Sequence, residues 1–93
     1  MATAIILVQC ERDNIPAAAE KFLEVEGVSE VYSVAGRWDL VAIARVPRDQ
    51  DLAELVTRRS AGIPGIVHTE TLIAFQTFSK YDLDRLFSIG LDE

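Results

Sequence analysis

The sequence predicts an α+β domain whose elements run strand, helix, strand, strand, helix, strand. Three observations carry this: four strand-length apolar stretches, two segments between them whose apolar residues recur at helical spacing, and turn-forming residues at the junctions. Ninety-three residues fit a single domain. Hydrophobic residues make up 49% of the chain, glycine and proline number only five and three, and no low-complexity tract interrupts the pattern, so the chain folds.

Residues 3–10 form a near-continuous apolar run ending at the charged Glu11-Arg12-Asp13-Asn14, the pattern of a strand buried on both faces. Asp13 or Asn14 can then cap a helix with Pro16 in its first turn. Ile15, Ala19, Phe22 and Leu23 keep helical spacing until Gly27, which places this helix over 15–26. From Val28 to Val34 the residues alternate, with Val28, Glu30, Tyr32 and Val34 on one face. Ala35-Gly36-Arg37-Trp38-Asp39 is a turn, and Leu40–Val46 resumes a β-rich run, giving an antiparallel hairpin. Pro47 ends it. Asp49 is a candidate N-cap for a second helix whose face carries Leu52, Leu55, Val56 and Arg59 and which finishes near Ala61-Gly62. Pro64-Gly65 turns the chain into a last strand from Ile66 to about Thr77.

This order is the split βαβ of ferredoxin-like folds, a four-stranded antiparallel sheet with two helices on one face. The strands nevertheless carry apolar side chains on both faces, as Ile5/Leu7 against Ile6/Val8 and Leu72/Ala74 against Ile73/Phe75 show. Burying one such side chain is worth roughly 1.5–3 kcal/mol, so the open face is expected to be covered by another subunit, in the manner of a dimeric α/β barrel. Residues 1–78 make the domain. Residues 79–93 are a tail in which Leu83, Leu86 and Phe87 lie at i, i+3, i+4, so a short helix there either packs back on its own domain or docks on a neighbour.

Composition excludes several function classes. Fifteen acidic against nine basic residues give a net charge of −6, which opposes the phosphate neutralisation on which nucleic-acid affinity rests. No apolar run is long enough to span a bilayer, no basic n-region precedes the first strand, and the lone Cys10 cannot form an internal disulfide, so a cytoplasmic chain without membrane partners is expected. A zinc cluster lacks ligands, because His68 is the sole histidine; neither a metal nor a cofactor is expected. Cys10 at the end of a buried strand reads as an inert small hydrophobe, and His68 as an edge or interface residue rather than an acid–base group.

Two segments carry more information. Gly36-Arg37-Trp38-Asp39 places a permissive backbone position, a cation, an aromatic surface and a carboxylate in one turn. Free amides there could hold a carboxylate and Asp39 an ammonium; equally, Asp39 caps the turn and Trp38 packs in an interface. In Ile63-Pro64-Gly65-Ile66-Val67-His68-Thr69-Glu70-Thr71, two threonines share one strand face, which taken alone reads as ordinary strand composition.

Val31-Tyr32-Ser33-Val34-Ala35-Gly36-Arg37-Trp38-Asp39-Leu40-Val41 resembles a family pattern of a valine-rich strand, a glycine, an aromatic–aspartate pair and a second apolar strand. Ile63-Pro64-Gly65-Ile66-Val67-His68-Thr69-Glu70-Thr71-Leu72-Ile73 resembles its companion, a Pro-Gly-Val-like turn entering a strand with spaced threonines. Both are similar to the effector-binding (RAM) domain of the leucine-responsive regulator/AsnC (Lrp/AsnC) family, over approximately Ala4 to Phe78. The resemblance implies a non-catalytic, amino-acid-binding domain linked to transcription regulation. It also implies a homodimer formed through the open sheet faces, with dimers assembling into an octamer-like ring and effectors bound between dimers. Carried over by position, Gly36, Arg37, Trp38 and Asp39 form the ligand loop, and Thr69 and Thr71 contribute polar contacts. The sequence starts at the first strand, without the helix-turn-helix of full-length members, so it resembles the stand-alone version, with a full-length family regulator as a candidate partner. The rival reading is a small dimeric α/β-barrel enzyme such as a cofactor-free monooxygenase, which requires a closed cavity within each subunit with His68 or another polar side chain facing inward.

Overall fold

The computed structural model describes residues 1–59, 62–78 and 80. The chain forms β1 (Ala2–Cys10), α1 (Ile15–Glu24), β2 (Val28–Ser33), β3 (Leu40–Val46), α2 (Asp49–Glu54) and β4 (Ile66–Ala74), with a 3-10 turn at Arg12–Asn14 and a π-helical turn at Leu55–Arg59. The four strands form one antiparallel sheet in the order β2-β3-β1-β4, so the ferredoxin-like α+β architecture expected from the element order is present. The tail helix expected around Leu83, Leu86 and Phe87 lies outside the described residues. Among the described residues, no helix is long and apolar enough to cross a membrane.

Alternation along the strands sorts the side chains. On β1, Ala2, Ala4, Ile6, Val8 and Cys10 are buried, and on β3 Leu40, Ala42, Ala44 and Val46. These face the helices, where Phe22 of α1 and Leu55, just beyond α2, are fully buried against them. The other face carries Ile5, Leu7, Val41, Ile43 and Leu72, none of which is fully buried. Helix α1 packs on β2 and β3, and α2 on β3 and β1. The helix-side face of β4 is therefore less covered, and Ile73 remains 50% exposed there.

Several element ends differ from the sequence expectation for physical reasons. Helix α1 stops at Glu24 rather than Glu26 because Val25 turns extended, its N–H donating to the Phe22 carbonyl at 3.1 Å. Asn14 holds the cap position without a side-chain capping bond; its Nδ2 instead donates to the Pro64 carbonyl at 2.8 Å, tying the start of α1 to the turn before β4. That turn needs Gly65, whose φ is +83° and where a Cβ would collide with the Asn14 carboxamide. Asp49 is the first helical residue of α2, not its cap, and with Asp51 puts negative charge in the first turn. Strand β4 ends at Ala74, not Thr77, because Ala74 pairs with Thr3 and β1 itself begins at Ala2, leaving Phe75–Phe78 no ladder to join. On β2 the strict alternation fails: a bulge lies between Val28 and Glu30, so Val28 and Val31 pack against the core while Glu30 and Tyr32 lie on the open face.

Candidate functional site

The hairpin loop between β2 and β3 is closed by one internal hydrogen bond and held against β1 by three more. Val34 N–H donates to the Asp39 carbonyl at 3.0 Å, Asp39 N–H to the Val8 carbonyl at 2.9 Å, Gln9 Nε2 to the Arg37 carbonyl at 3.1 Å, and Cys10 N–H to Asp39 Oδ2 at 2.9 Å. Gly36 has φ +127°, a region side chains avoid, and a Cβ there would meet nothing within 4 Å. Glycine is thus needed at that position for backbone shape and not for space.

Folding the loop back onto β1 brings Arg37 and Trp38 to the end of β4. Gln9 pairs with His68 and Leu7 with Glu70, so Gln9, His68 and Glu70 project from the open face of the sheet. The Trp38 indole stacks on the His68 imidazole, with ring centroids 5.8 Å apart and 19° between planes. Together Gln9, Arg37, Trp38, His68, Thr69 and Glu70 line a cavity of about 300 Å³. This is within the lower range for small-molecule sites, about 300–1,000 Å³.

The residues singled out in the sequence are only partly brought together. Arg37, Trp38 and Thr69 meet at this cavity, whereas Asp39 turns its carboxylate to the Cys10 amide behind the loop. Thr71 lines a different cavity of about 650 Å³, a groove between α2 and β4 that also contains Leu52, Val56, Ile73 and Phe75. Sequence reasoning missed Gln9 and Glu70 as lining residues. The signal was there in the two-residue period of each strand, but it became readable only once the β1–β4 register was known. His68 is exposed at the cavity and stacked on Trp38 rather than enclosed within the subunit.

The Cys10 thiol is pushed above its ordinary value by burial and secondarily by the nearby Asp39 charge, so it is a poor nucleophile at neutral pH. Away from the loop, Tyr32 Oη donates to Glu30 Oε2 at 2.6 Å, and Arg45 reaches Glu30 at 3.5 Å and Ser29 Oγ at 2.8 Å. The Tyr32 hydrogen bond, aided by Arg45, lowers the Glu30 carboxyl, while that same bond raises the Tyr32 phenol. No group of three or more metal-ligating side chains occurs among the described residues.

Known proteins share this fold. An uncharacterised HTH-type transcriptional regulator of Pyrococcus horikoshii is 32% identical over 81 residues, covering 84% of this chain and 54% of its own. The chain spans about half the length of the curated relatives it matches. The crystal structure of TTHA0845 from Thermus thermophilus superposes with a TM-score of 0.79 at 36% identity, over 86% of this chain and 100% of that one. A transcriptional regulator of Neisseria meningitidis, solved as a complex with L-Met, shares the fold at a TM-score of 0.73 and 14% identity, over 84% of this chain and 52% of that one. The family model of the Lrp/AsnC ligand binding domain matches residues 3–83, and the chain belongs to that family.

Proposed function

We propose that this chain is a non-catalytic effector-binding and oligomerisation domain that takes an amino acid or similar small effector at the β2–β3 loop. The observation that carries the reading is the convergence of Arg37, Trp38 and Thr69, far apart in sequence, around one small cavity. Gly36 shapes the loop, Asp39 fixes it to β1, and Arg37 and Trp38 supply charge and a flat apolar surface. Thr71 contributes where a second copy packs into the groove between α2 and β4. The L-Met complex of the Neisseria regulator supports an amino acid as the ligand class.

In this reading the half-exposed apolar face of Ile5, Leu7, Val41, Ile43 and Leu72 is covered by a second copy, and dimers build a higher, octamer-like ring. The effector then changes assembly only by its differential affinity for the oligomeric states. Transcription is affected in the cytoplasm through a DNA-binding regulator of the same family, because a net charge of −6 suits the chain to a protein partner better than to DNA.

Calorimetric titration with each standard L-amino acid, paired with light scattering, tests this. Saturable binding of at least one, with a stoichiometry that follows the protomer, is expected. Absence of binding to every one of them by the assembled protein rejects the effector reading. For the interface, Leu72→Lys is expected to shift the protein toward smaller species, and an unchanged mass rejects the sheet-face assembly.

A further inference from the structure

Two opposite charges stand uncommitted at the loop cavity. Arg37 contributes only its backbone carbonyl to the hydrogen bond with Gln9, and its guanidinium has no ion pair among the described residues. The Glu70 carboxylate likewise has no hydrogen-bond or ion-pair partner among the described residues. Both line the same cavity of about 300 Å³, one from the hairpin loop and one from β4, beside the stacked Trp38 and His68 rings. Asp39, the residue to which the sequence alone points as an ammonium partner, is not among the lining residues, and its Oδ2 faces the Cys10 amide at 2.9 Å.

We infer that Arg37 and Glu70 are the head-group clamp of the effector site, Arg37 taking the α-carboxylate and Glu70 the α-ammonium of a free α-amino acid, with its side chain along the Trp38–His68 stack. This rests on the effector reading above and sharpens it, because it requires a zwitterion and not merely a carboxylic acid or an amine. A guanidinium presents a planar fork that matches a carboxylate, and a carboxylate accepts from an ammonium through charge-assisted hydrogen bonds. A few oriented polar groups of this kind beside an apolar surface are what fixes a small ligand in its cavity. Asp39 is a positioning residue: it holds the loop that carries Arg37 and touches no ligand.

The test uses the full chain. The amino acid that binds most tightly in calorimetric titration is compared with its deaminated acid, which lacks the ammonium, and its primary amide, which lacks the carboxylate. Each is titrated into wild type, Glu70→Gln, Arg37→Gln and Asp39→Asn, with circular dichroism and light scattering confirming fold and assembly. Wild type is expected to bind both analogues about tenfold more weakly or worse, the loss that accompanies an unmet charged hydrogen bond. Glu70→Gln is expected to lose a similar factor for the amino acid and to stop distinguishing it from the deaminated acid; Arg37→Gln is expected to do so with the amide. Asp39→Asn, whose side-chain carbonyl still accepts the Cys10 amide, is expected to stay within about threefold of wild type. If wild type binds the deaminated acid as tightly as the amino acid, or Glu70→Gln retains wild-type affinity, the clamp is overturned while the effector reading stands. If wild type binds no amino acid, the effector reading falls and the clamp with it.

Discussion

Replacing Asp39 by alanine isolates the cost of holding the loop. The substitution removes the acceptor for the partly buried Cys10 N–H, which sits at the irregular end of the β1–β4 ladder, where the register shifts between Gln9 and Cys10. A hydrogen bond to a charged acceptor is worth about 1.5–3 kcal/mol net, and an orphaned buried donor costs about 1–3 kcal/mol. Since Cys10 N–H is only partly buried and water can meet it in part, a loss of about 1–2 kcal/mol is expected. For a domain of this length that corresponds to a fall in Tm of roughly 4–16 °C. The assay is urea and thermal unfolding at one fixed protein concentration, because assembly makes apparent stability concentration-dependent. Trp38, the sole tryptophan, reports the loop directly and far-ultraviolet circular dichroism reports the sheet. Asp39→Asn separates acceptor from charge, since its amide oxygen can still take the bond; it is expected to lose less than half of what Asp39→Ala loses. A Tm for Asp39→Ala indistinguishable from wild type, or equal losses for the two variants, refutes the view that this carboxylate anchors the loop.

Other consequences are as direct. Phe22 is fully buried between α1 and the sheet, so Phe22→Ala is expected to cost about 3–5 kcal/mol, read as a drop in the urea midpoint; a loss under about 1 kcal/mol refutes the core assignment. The Glu30–Tyr32 bond predicts a two-sided pH window. Glu30 is lowered in the folded state, so its contribution is present above its unfolded value and lost as pH falls through the folded one. Tyr32 is raised, so its contribution is complete below its unfolded value and lost as pH rises through the folded one. Ultraviolet titration of the phenol should show Tyr32 ionising above the ordinary tyrosine range and returning toward it in Glu30→Gln; identical titrations refute the pairing. Cys10 is expected to react with iodoacetamide far more slowly in the folded than in the urea-unfolded chain, because burial raises its thiol; equal rates at one pH refute the buried assignment.

How much of this was legible in the sequence depends on whether a feature is local. Strand β3 is bounded where the sequence suggests, Leu40 to Val46, because an apolar run broken only by Arg45 lies between Asp39 and Pro47. Pairing sets the features that could not be read. The Ser29 bulge puts Val28 and Val31 on the same face, against the core, and nothing in Val28–Val34 marks it, since the period of two is broken only against β3. The end of β4 is decided by where β1 begins, over sixty residues earlier. Asn14 looks like a helix cap in sequence, but in the fold Pro64 offers its side chain a carbonyl that competes successfully with the helix N-terminus.

Asp39 shows the same logic at the site. A carboxylate beside a glycine, an arginine and a tryptophan reads as a ligand group, and composition cannot tell whether its oxygens are free. The fold decides: an irregularity near Cys10 leaves a strand amide in need of an acceptor, and Asp39 supplies one. One oxygen of that carboxylate is thereby engaged, and the clamp proposed above draws its charges from side chains without a partner among the described residues. Glu70 is such a charge, on the same face as Gln9 and His68 and lining the same cavity as Arg37. In the clamp proposed above, the motif aspartate keeps the binding loop in place through the Cys10 amide, while Glu70, outside the Gly36–Asp39 turn, meets the ligand.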